Sequence, residues 1–284
     1  MYELKKVYLE ITNICNLSCS FCPKTKRAGK VMSPEEFRTL AEKIRPHSRY
    51  LYLHLMGEPM LHPQLDRILK IAEELDFILM ITTNGTLLPQ REELLCSCPV
   101  IKKISVSLHS FEGNEGHNTS MTEYLDGCLR FAAHAARSGK RCGLRLWNLD
   151  GAETQGANSQ NGFILDRMAL HFPKPWKETW SGATLAPNIY LEWGEKFEWP
   201  DLNHGEGGGT GFCYGLRDHV GVLCDGTVVP CCLDHEGDIP LGNLFEQSLQ
   251  EIMDTPRARA IYNGFSNRKV TEELCRTCGY MRRF

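Results

Sequence analysis

No run of about 18 or more apolar residues occurs in this chain, so no membrane-crossing helix is expected. The N-terminus, MYELKKVYLEITN, lacks the apolar core of a secretory signal. Net charge is only −3, too little of either sign to attract nucleic acid or anionic lipid in general, and neither is expected as a partner. Internal repeats and low-complexity tracts are absent as well. With 42% hydrophobic and 24% charged residues over 284 positions, the chain is not disordered. It is long enough for one large domain, or a large domain and a small one. Together these features read as a cytoplasmic protein.

What the chain does have is cysteine, thirteen in all. A reducing compartment keeps thiols free, and an odd count argues the same way, so clustered cysteines point to metal ligands rather than disulfides. Two clusters stand out. One is Cys15, Cys19 and Cys22; the other draws on Cys213, Cys224, Cys231, Cys232, Cys275 and Cys278. Cys96, Cys98, Cys128 and Cys142 read as buried small hydrophobes.

The first 193 residues alternate between strand and helix patterns. Strands are expected at 5–12, 50–56, 77–84, 102–110, 142–149 and 188–193, each a near-continuous apolar run. Ser33-Pro34-Glu35-Glu36 is a helix start, with Ser as N-cap, Pro at the first position and Glu36 three residues on. Further helices are expected near 63–75, after Pro89, at 122–138 and near 161–171. Six such repeats imply an α/β protein built on a parallel sheet covered by helices, a partial (β/α)6 TIM-like barrel rather than a closed eight-stranded one. The polar loop 151–162 reads as exposed, and GEGGGTG (205–211) as part of a linker over 196–212. Asp225-Gly226 between two β-rich runs signals a hairpin, followed by a helix at about 248–262. The expected division is a barrel over 1–195 and a small hairpin-plus-helix domain over 213–284.

Cys15-x3-Cys19-x2-Cys22 follows the first strand directly, at the end where α/β barrels gather their chemistry. Three thiolates can hold three irons of a [4Fe–4S] cube and leave the fourth iron open to a small molecule. The alternatives are a structural zinc site with a remote fourth ligand, or three unrelated cysteines. The stretch closely resembles the radical S-adenosylmethionine (SAM) family, whose signature is Cys-x3-Cys-x2-Cys with an aromatic, here Phe21, before the last cysteine. Gly57-Glu58-Pro59 after strand two, Thr83-Asn84-Gly85 after strand three and Ser105-Val106-Ser107 in strand four match SAM-contacting places in that family.

The resemblance implies an enzyme in which the open iron chelates SAM, and an electron from a donor such as flavodoxin or ferredoxin cleaves it. The products are methionine and a 5′-deoxyadenosyl radical that takes a hydrogen atom from substrate. Glu58 suits the methionine ammonium, Gly57 allows close backbone approach, and Ser107 and Asn84 suit the ribose or carboxylate. Arg145 offers its fork of donors to the SAM carboxylate. Asn84-Gly85 is also a good turn, Ser107 can simply pack, and Arg145 can pair with a structural acid.

The tail reads Cys213-x17-Cys231-x43-Cys275-x2-Cys278, four thiols able to close a tetrahedral site for zinc or an iron–sulfur cluster. This region resembles the SPASM/twitch extension of radical SAM enzymes, which carries auxiliary [4Fe–4S] clusters. Only six residues follow Cys278, none of them cysteine, which departs from the seven-cysteine version and implies one auxiliary cluster. Cys224 and Cys232 are rival ligands; Cys232, next to Cys231 on a strand, should point to the opposite face, and Cys224 is otherwise a core thiol or a hydrogen-atom donor.

Several substrate classes stay open: oxidation of a carbon in a small molecule or peptide, crosslinking or epimerisation of a ribosomal peptide, or RNA modification. A zinc-stabilised binding protein without activity is the distant alternative. His109 and His235 are candidate bases, with ordinary loop residues as the plainer reading. Trp176, Trp180, Trp193 and Trp199 are expected to pack between the domains.

Overall fold

The computed structural model describes residues 3–113, 119–149, 159–195, 197–203 and 207–283. Most of the polar loop expected at 151–162, up to residue 158, lies outside them, as do residues 196 and 204–206 of the linker region.

The barrel half runs β1 (Lys6–Leu9), α1 (Pro34–Ile44), β2 (Tyr50–Tyr52), α2 (Leu65–Glu74), β3 (Ile78–Thr83), α3 (Leu88–Ser97), β4 (Ile101–Ser107), α4 (Met121–Arg137), β5 (Arg141–Leu149) and α5 (Ser159–His171). Local chemistry fixes the helix starts. Ser33 caps α1 by accepting from the Glu36 N–H, while the Glu36 carboxylate accepts from the Ser33 N–H at 2.7 Å. The same reciprocal box, Ser120 with Glu123, starts α4. In α1, Phe37, Leu40, Ala41 and Ile44 recur at helical spacing and are buried against the sheet.

Strands β1 to β5 pair in parallel in sequence order. Their side chains alternate between two environments. Val7, Leu9, Leu79, Ile81, Ile104 and Val106 pack under the helices, while Lys6, Tyr8, Met80, Thr82 and Ser107 line an interior cavity. The partial barrel is therefore filled with apolar packing on its outer layer and hollow within.

The expected sixth strand is present as β8 (Ile189–Glu195), parallel to β5, but an antiparallel hairpin comes first: β6 (Lys177–Thr179) and β7 (Gly182–Ala186). Pro187-Asn188 is the tight turn between β7 and β8, with Asn188 at φ 63°.

The C-terminal part contains the expected hairpin, β9 (His219–Val222) and β10 (Thr227–Val229), followed by the short β11 (Gly242–Asn243). Strand β9 pairs in parallel with β1, Lys6 opposite His219 and Tyr8 opposite Gly221. Among the described residues, eleven strands thus form one sheet, ordered β11-β10-β9-β1-β2-β3-β4-β5-β8-β7-β6. The helix expected at 248–262 is instead two: α6 (Leu249–Met253) and α7 (Pro256–Ser266). Thr255 caps α7, and Pro256, lacking an N–H, takes its first turn, so the ladder breaks there. The four-residue α8 (Glu273–Arg276) carries Cys275. Trp199 does lie between the two parts, its indole donating to the Phe21 carbonyl at 3.1 Å. Trp180 does not; it is 94% exposed at the β6–β7 turn. No described helix is long and apolar enough to cross a membrane.

Candidate active site

The segment after β1 leaves the sheet and returns to it. Thr12 bridges Val31, the Thr12 hydroxyl donates to the Lys30 carbonyl at 3.0 Å, and the Asn13 amide bonds both Ala28 and Lys30. That clasp closes a loop holding the first three cysteines. Cys15 is exposed, Cys19 buried and Cys22 half-buried. The Cys15 Sγ accepts from the Leu17 N–H at 3.4 Å and the Asn84 amide at 3.8 Å. The Cys19 thiol donates to the Ser110 carbonyl at 3.5 Å, and the Cys22 N–H to the Cys19 carbonyl at 3.2 Å.

Burial pushes all three thiols up, Cys19 to about 11, with Cys15 and Cys22 adding like-charge repulsion at Cys19. Three thiols gathered this way favour thiolate only beside a strong positive charge, which iron supplies. The loop also leaves space for nothing larger than hydrogen at Gly113, where a Cβ would lie 2.8 Å from the Cys19 Sγ. A thiol-only donor set in a shaped cradle fits an iron–sulfur cluster. Among the described residues, no three His, Cys, Asp or Glu side chains are close enough to hold a single metal ion.

The Gly57-Glu58-Pro59 turn packs directly on this loop. Gly57 adopts φ +74°, and a Cβ there would lie 2.3 Å from the Thr12 carbonyl oxygen. The Glu58 N–H donates to the Ile14 carbonyl at 2.9 Å. The Glu58 side chain turns inward and is buried. Its carboxylate accepts from the Met60 N–H (3.0 Å), the Thr83 hydroxyl (2.8 Å) and the Asn84 N–H (2.7 Å). Burial nonetheless pushes its pKa up to about 7, outweighing those three bonds. Pro59 opens the short turn 59–61 that Glu58 caps. The Asn84 amide is engaged in holding the loop, donating to the Asn16 side chain at 2.9 Å while its oxygen accepts from Thr86.

Phe21, Ser107, His109 and Arg145 face a cavity of about 860 Å3. The Phe21 ring packs on His109 with centroids 4.6 Å apart. Arg145 pairs with a structural acid: its Nε donates to Glu192 at 3.0 Å, and Lys103 binds the same carboxylate. The same cavity is lined by Cys213, Cys231, Cys232, Cys275 and Cys278. The thiols proposed as ligands influence one another. Cys213 and Cys275 raise Cys231, and Cys278 raises both Cys213 and Cys275, in each case after burial as the larger cause. A Cβ on Gly215 would lie 3.7 Å from both the Cys213 Sγ and the Cys231 Cβ.

Of the two rival thiols, Cys232 lines the same cavity and raises Cys231 ahead of Cys213 and Cys275, whereas Cys224 lies outside it. Cys232 turns to the Tyr8 hydroxyl, which shares a hydrogen bond with it. Cys224 is buried elsewhere, its thiol facing the Lys30 carbonyl at 4.0 Å. His235 lies beside Trp199 and Glu236, and Asp234 spends its carboxylate on the N–H groups of Gly237, Asp238 and Ile239.

The radical SAM superfamily profile matches residues 9–151, half of the chain, from β1 past the end of β5. The chain belongs to the radical SAM superfamily. A profile for the iron–sulfur cluster-binding SPASM domain matches residues 213–279, which contain all four far cysteines. This radical SAM enzyme therefore carries a C-terminal SPASM domain. Among curated proteins it is similar to a tungsten-containing aldehyde ferredoxin oxidoreductase cofactor-modifying protein of Pyrococcus furiosus, 37% identical over 90 residues, 30% of this chain and 25% of that one. The GTP 3′,8-cyclase of Aquifex aeolicus is 30% identical over 115 residues, 38% of this chain and 36% of that one. The sporulation killing factor maturation protein SkfB of Bacillus subtilis is 22% identical over 282 residues, 86% of this chain and 63% of that one. In each case the match covers less than two thirds of the relative's length.

Solved structures share the fold. BtrN in complex with AdoMet and 2-DOIA superposes with a TM-score of 0.61 at 19% identity, over 98% of this chain and 94% of that one. Streptococcus suis SuiB bound to S-adenosylmethionine gives 0.64 at 16%, over 99% and 72%.

One feature of the radical SAM site is invisible in the motifs. Glu10, just past β1, is fully buried and receives both arms of Arg27 at 2.8 Å. It also accepts from the Met56 N–H (3.1 Å) and the Cys224 N–H (3.3 Å). One carboxylate thereby ties the cysteine loop, the Gly-Glu turn and the SPASM hairpin to β1. Its partner stands 17 residues away in sequence, a separation that leaves no periodic signal.

Proposed function

We propose that this radical SAM enzyme oxidises a carbon of a substrate held in the cavity between its two thiol sets. The carbon loses a hydrogen atom, then an electron and a proton. The cavity supports the reading, because Phe21, Ser107, His109 and Arg145 line it together with Cys213, Cys231, Cys232, Cys275 and Cys278. A four-iron cube on Cys15, Cys19 and Cys22 would supply the electron that splits SAM into methionine and a 5′-deoxyadenosyl radical, and a single auxiliary cube on the far thiols a sink for the second electron.

The chain's own groups then bind and orient. Asn84 and the Leu17 N–H steady Cys15. A carboxylate has about four acceptor positions, so Glu58, with three occupied, keeps one for the SAM ammonium. Glu192 fixes the Arg145 guanidinium where it can meet the SAM carboxylate, and Ser107, in the cavity lining, offers its hydroxyl to the nucleoside. The Phe21–His109 pair walls the cavity against water. The initial electron comes from a flavodoxin or ferredoxin, and the thirteen free thiols suit a reducing cytoplasm.

A peptide is the second reading of the substrate. SkfB, named as a peptide maturation protein, aligns with 86% of this chain, and SuiB has been solved with its precursor peptide SuiA.

The test is anaerobic reconstitution followed by assay for 5′-deoxyadenosine under a strong reductant. Wild type is expected to form it and Cys19→Ala to form none. Undiminished cleavage in that variant would overturn the assignment of the first cysteine set.

A further inference from the structure

Lys6 stands in a wall that strand register builds inside the cavity. Lys6 and Tyr8 are two residues apart on β1 and project to the same face. Tyr52 of β2 lies opposite Tyr8, and His219 of β9 lies opposite Lys6. The Lys6 Nζ is 5.1 Å from the Tyr8 ring centroid and 5.2 Å from that of Tyr52. Ring faces attract a cation but accept no strong directed hydrogen bonds, and an ammonium carries three donors.

The acids nearby are already committed. Asp218 accepts from Lys5 at 2.7 Å. Glu192 serves Arg145 and Lys103. Asp234 accepts from three backbone N–H groups, and Glu10 is taken by Arg27. Among the described residues Lys6 forms no ion pair. Burial lowers its pKa, the mark of a charge held partly out of water. Among the described residues, the cavity thus presents a cation without an ion pair of its own on a wall of aromatic rings, partly offset by Cys232 and Asp218.

We propose that the cavity binds a substrate through a carboxylate or phosphate group, gripped by Lys6, with Tyr8, Tyr52 and His219 packing against the body that carries it. This rests on the proposed function only in placing the substrate between the thiol sets. An anion meeting a half-buried ammonium forms a charge-assisted hydrogen bond that a neutral group of the same shape cannot match.

The probes are 2-naphthoate, 2-naphthyl phosphate and the neutral 2-naphthamide, measured by anaerobic equilibrium dialysis against the reconstituted protein with SAM present. At least one anion is expected to bind about tenfold or more tighter than the amide, and the stronger anion says whether the group is carboxylate or phosphate. Lys6→Met should bring anion and amide within about twofold of each other, and Lys6→Arg should keep the preference. Lys174→Met, which removes an ammonium lying 5.0 Å over the Trp176 ring outside the cavity, should change nothing. Should Lys6→Met not fold, Lys6→Gln is read in the same way. Equal binding of anions and amide by wild type, or a preference that survives loss of the Lys6 charge, overturns the proposal. Dialysis involves no turnover, so its outcome is independent of whether SAM is cleaved.

Discussion

Glu58 shows how a single side chain can be both structural and chemically poised. Two of its three hydrogen bonds join the Gly-Glu turn to the end of β3 and the third closes the turn, yet burial leaves the carboxyl near neutrality, at about 7. The folded chain holds this proton more tightly than the unfolded chain does. In the empty protein the resulting stabilisation is complete below the ordinary carboxylate pKa and is lost as pH rises through about 7. A bound ammonium selects the anion instead. SAM affinity, measured by dialysis relative to Glu58→Gln, is expected to fall below pH 7, approaching about tenfold per pH unit. A pH profile identical in wild type and variant would remove Glu58 from SAM binding. Spacing in the sequence exposed Cys15, Cys19 and Cys22 because one loop supplies all three. It could not show that Asn84 and Arg145 are already engaged, since Asn16 and Glu192 lie 68 and 47 residues away in sequence.

Between elements, the Glu10–Arg27 pair is the main fastening. Breaking a buried pair by neutralising one partner strands the other charge, at a cost of about 3–5 kcal/mol. Glu10→Gln should therefore lower unfolding stability by that order in chemical denaturation, and Met56 and Cys224 should lose amide protection in hydrogen exchange. A loss under about 1 kcal/mol would show that Arg27 finds solvent or another acceptor. Elements with strong local chemistry were legible in the sequence. The Ser33–Glu36 box fixed the start of α1, and Asp225-Gly226 marked the β9–β10 hairpin. Elements decided by weak or distant signals were not. The hairpin of β6 and β7 rests on short strands that resemble loop, and the α6–α7 break hides inside one apolar pattern until Pro256 is taken as a start rather than an interior residue.

At the scale of the whole molecule, the far thiol set lines the hollow while the loop of the near set reaches it through Phe21, and each set is assembled differently. The near set comes from eight consecutive positions, the far set from a hairpin approach and a C-terminal turn. Cys278→Ala should lower iron from about eight to about four per chain after reconstitution, since each cube uses its own thiolates. Retention of all the iron would mean that Cys232 or Cys224 serves as ligand after all. The pairing of β9 with β1 had no counterpart in the sequence pattern, because parallel partners more than two hundred residues apart share no turn.

That pairing also sets a timetable for biogenesis. The neighbour that covers one flank of β1 is translated some two hundred residues after β1 itself. Through that interval the nascent chain presents a bare row of amide and carbonyl groups, open to adventitious partners. The delay makes the SPASM segment a closing stave, without which the hollow in front of Lys6 and Tyr8 would stand open along one side.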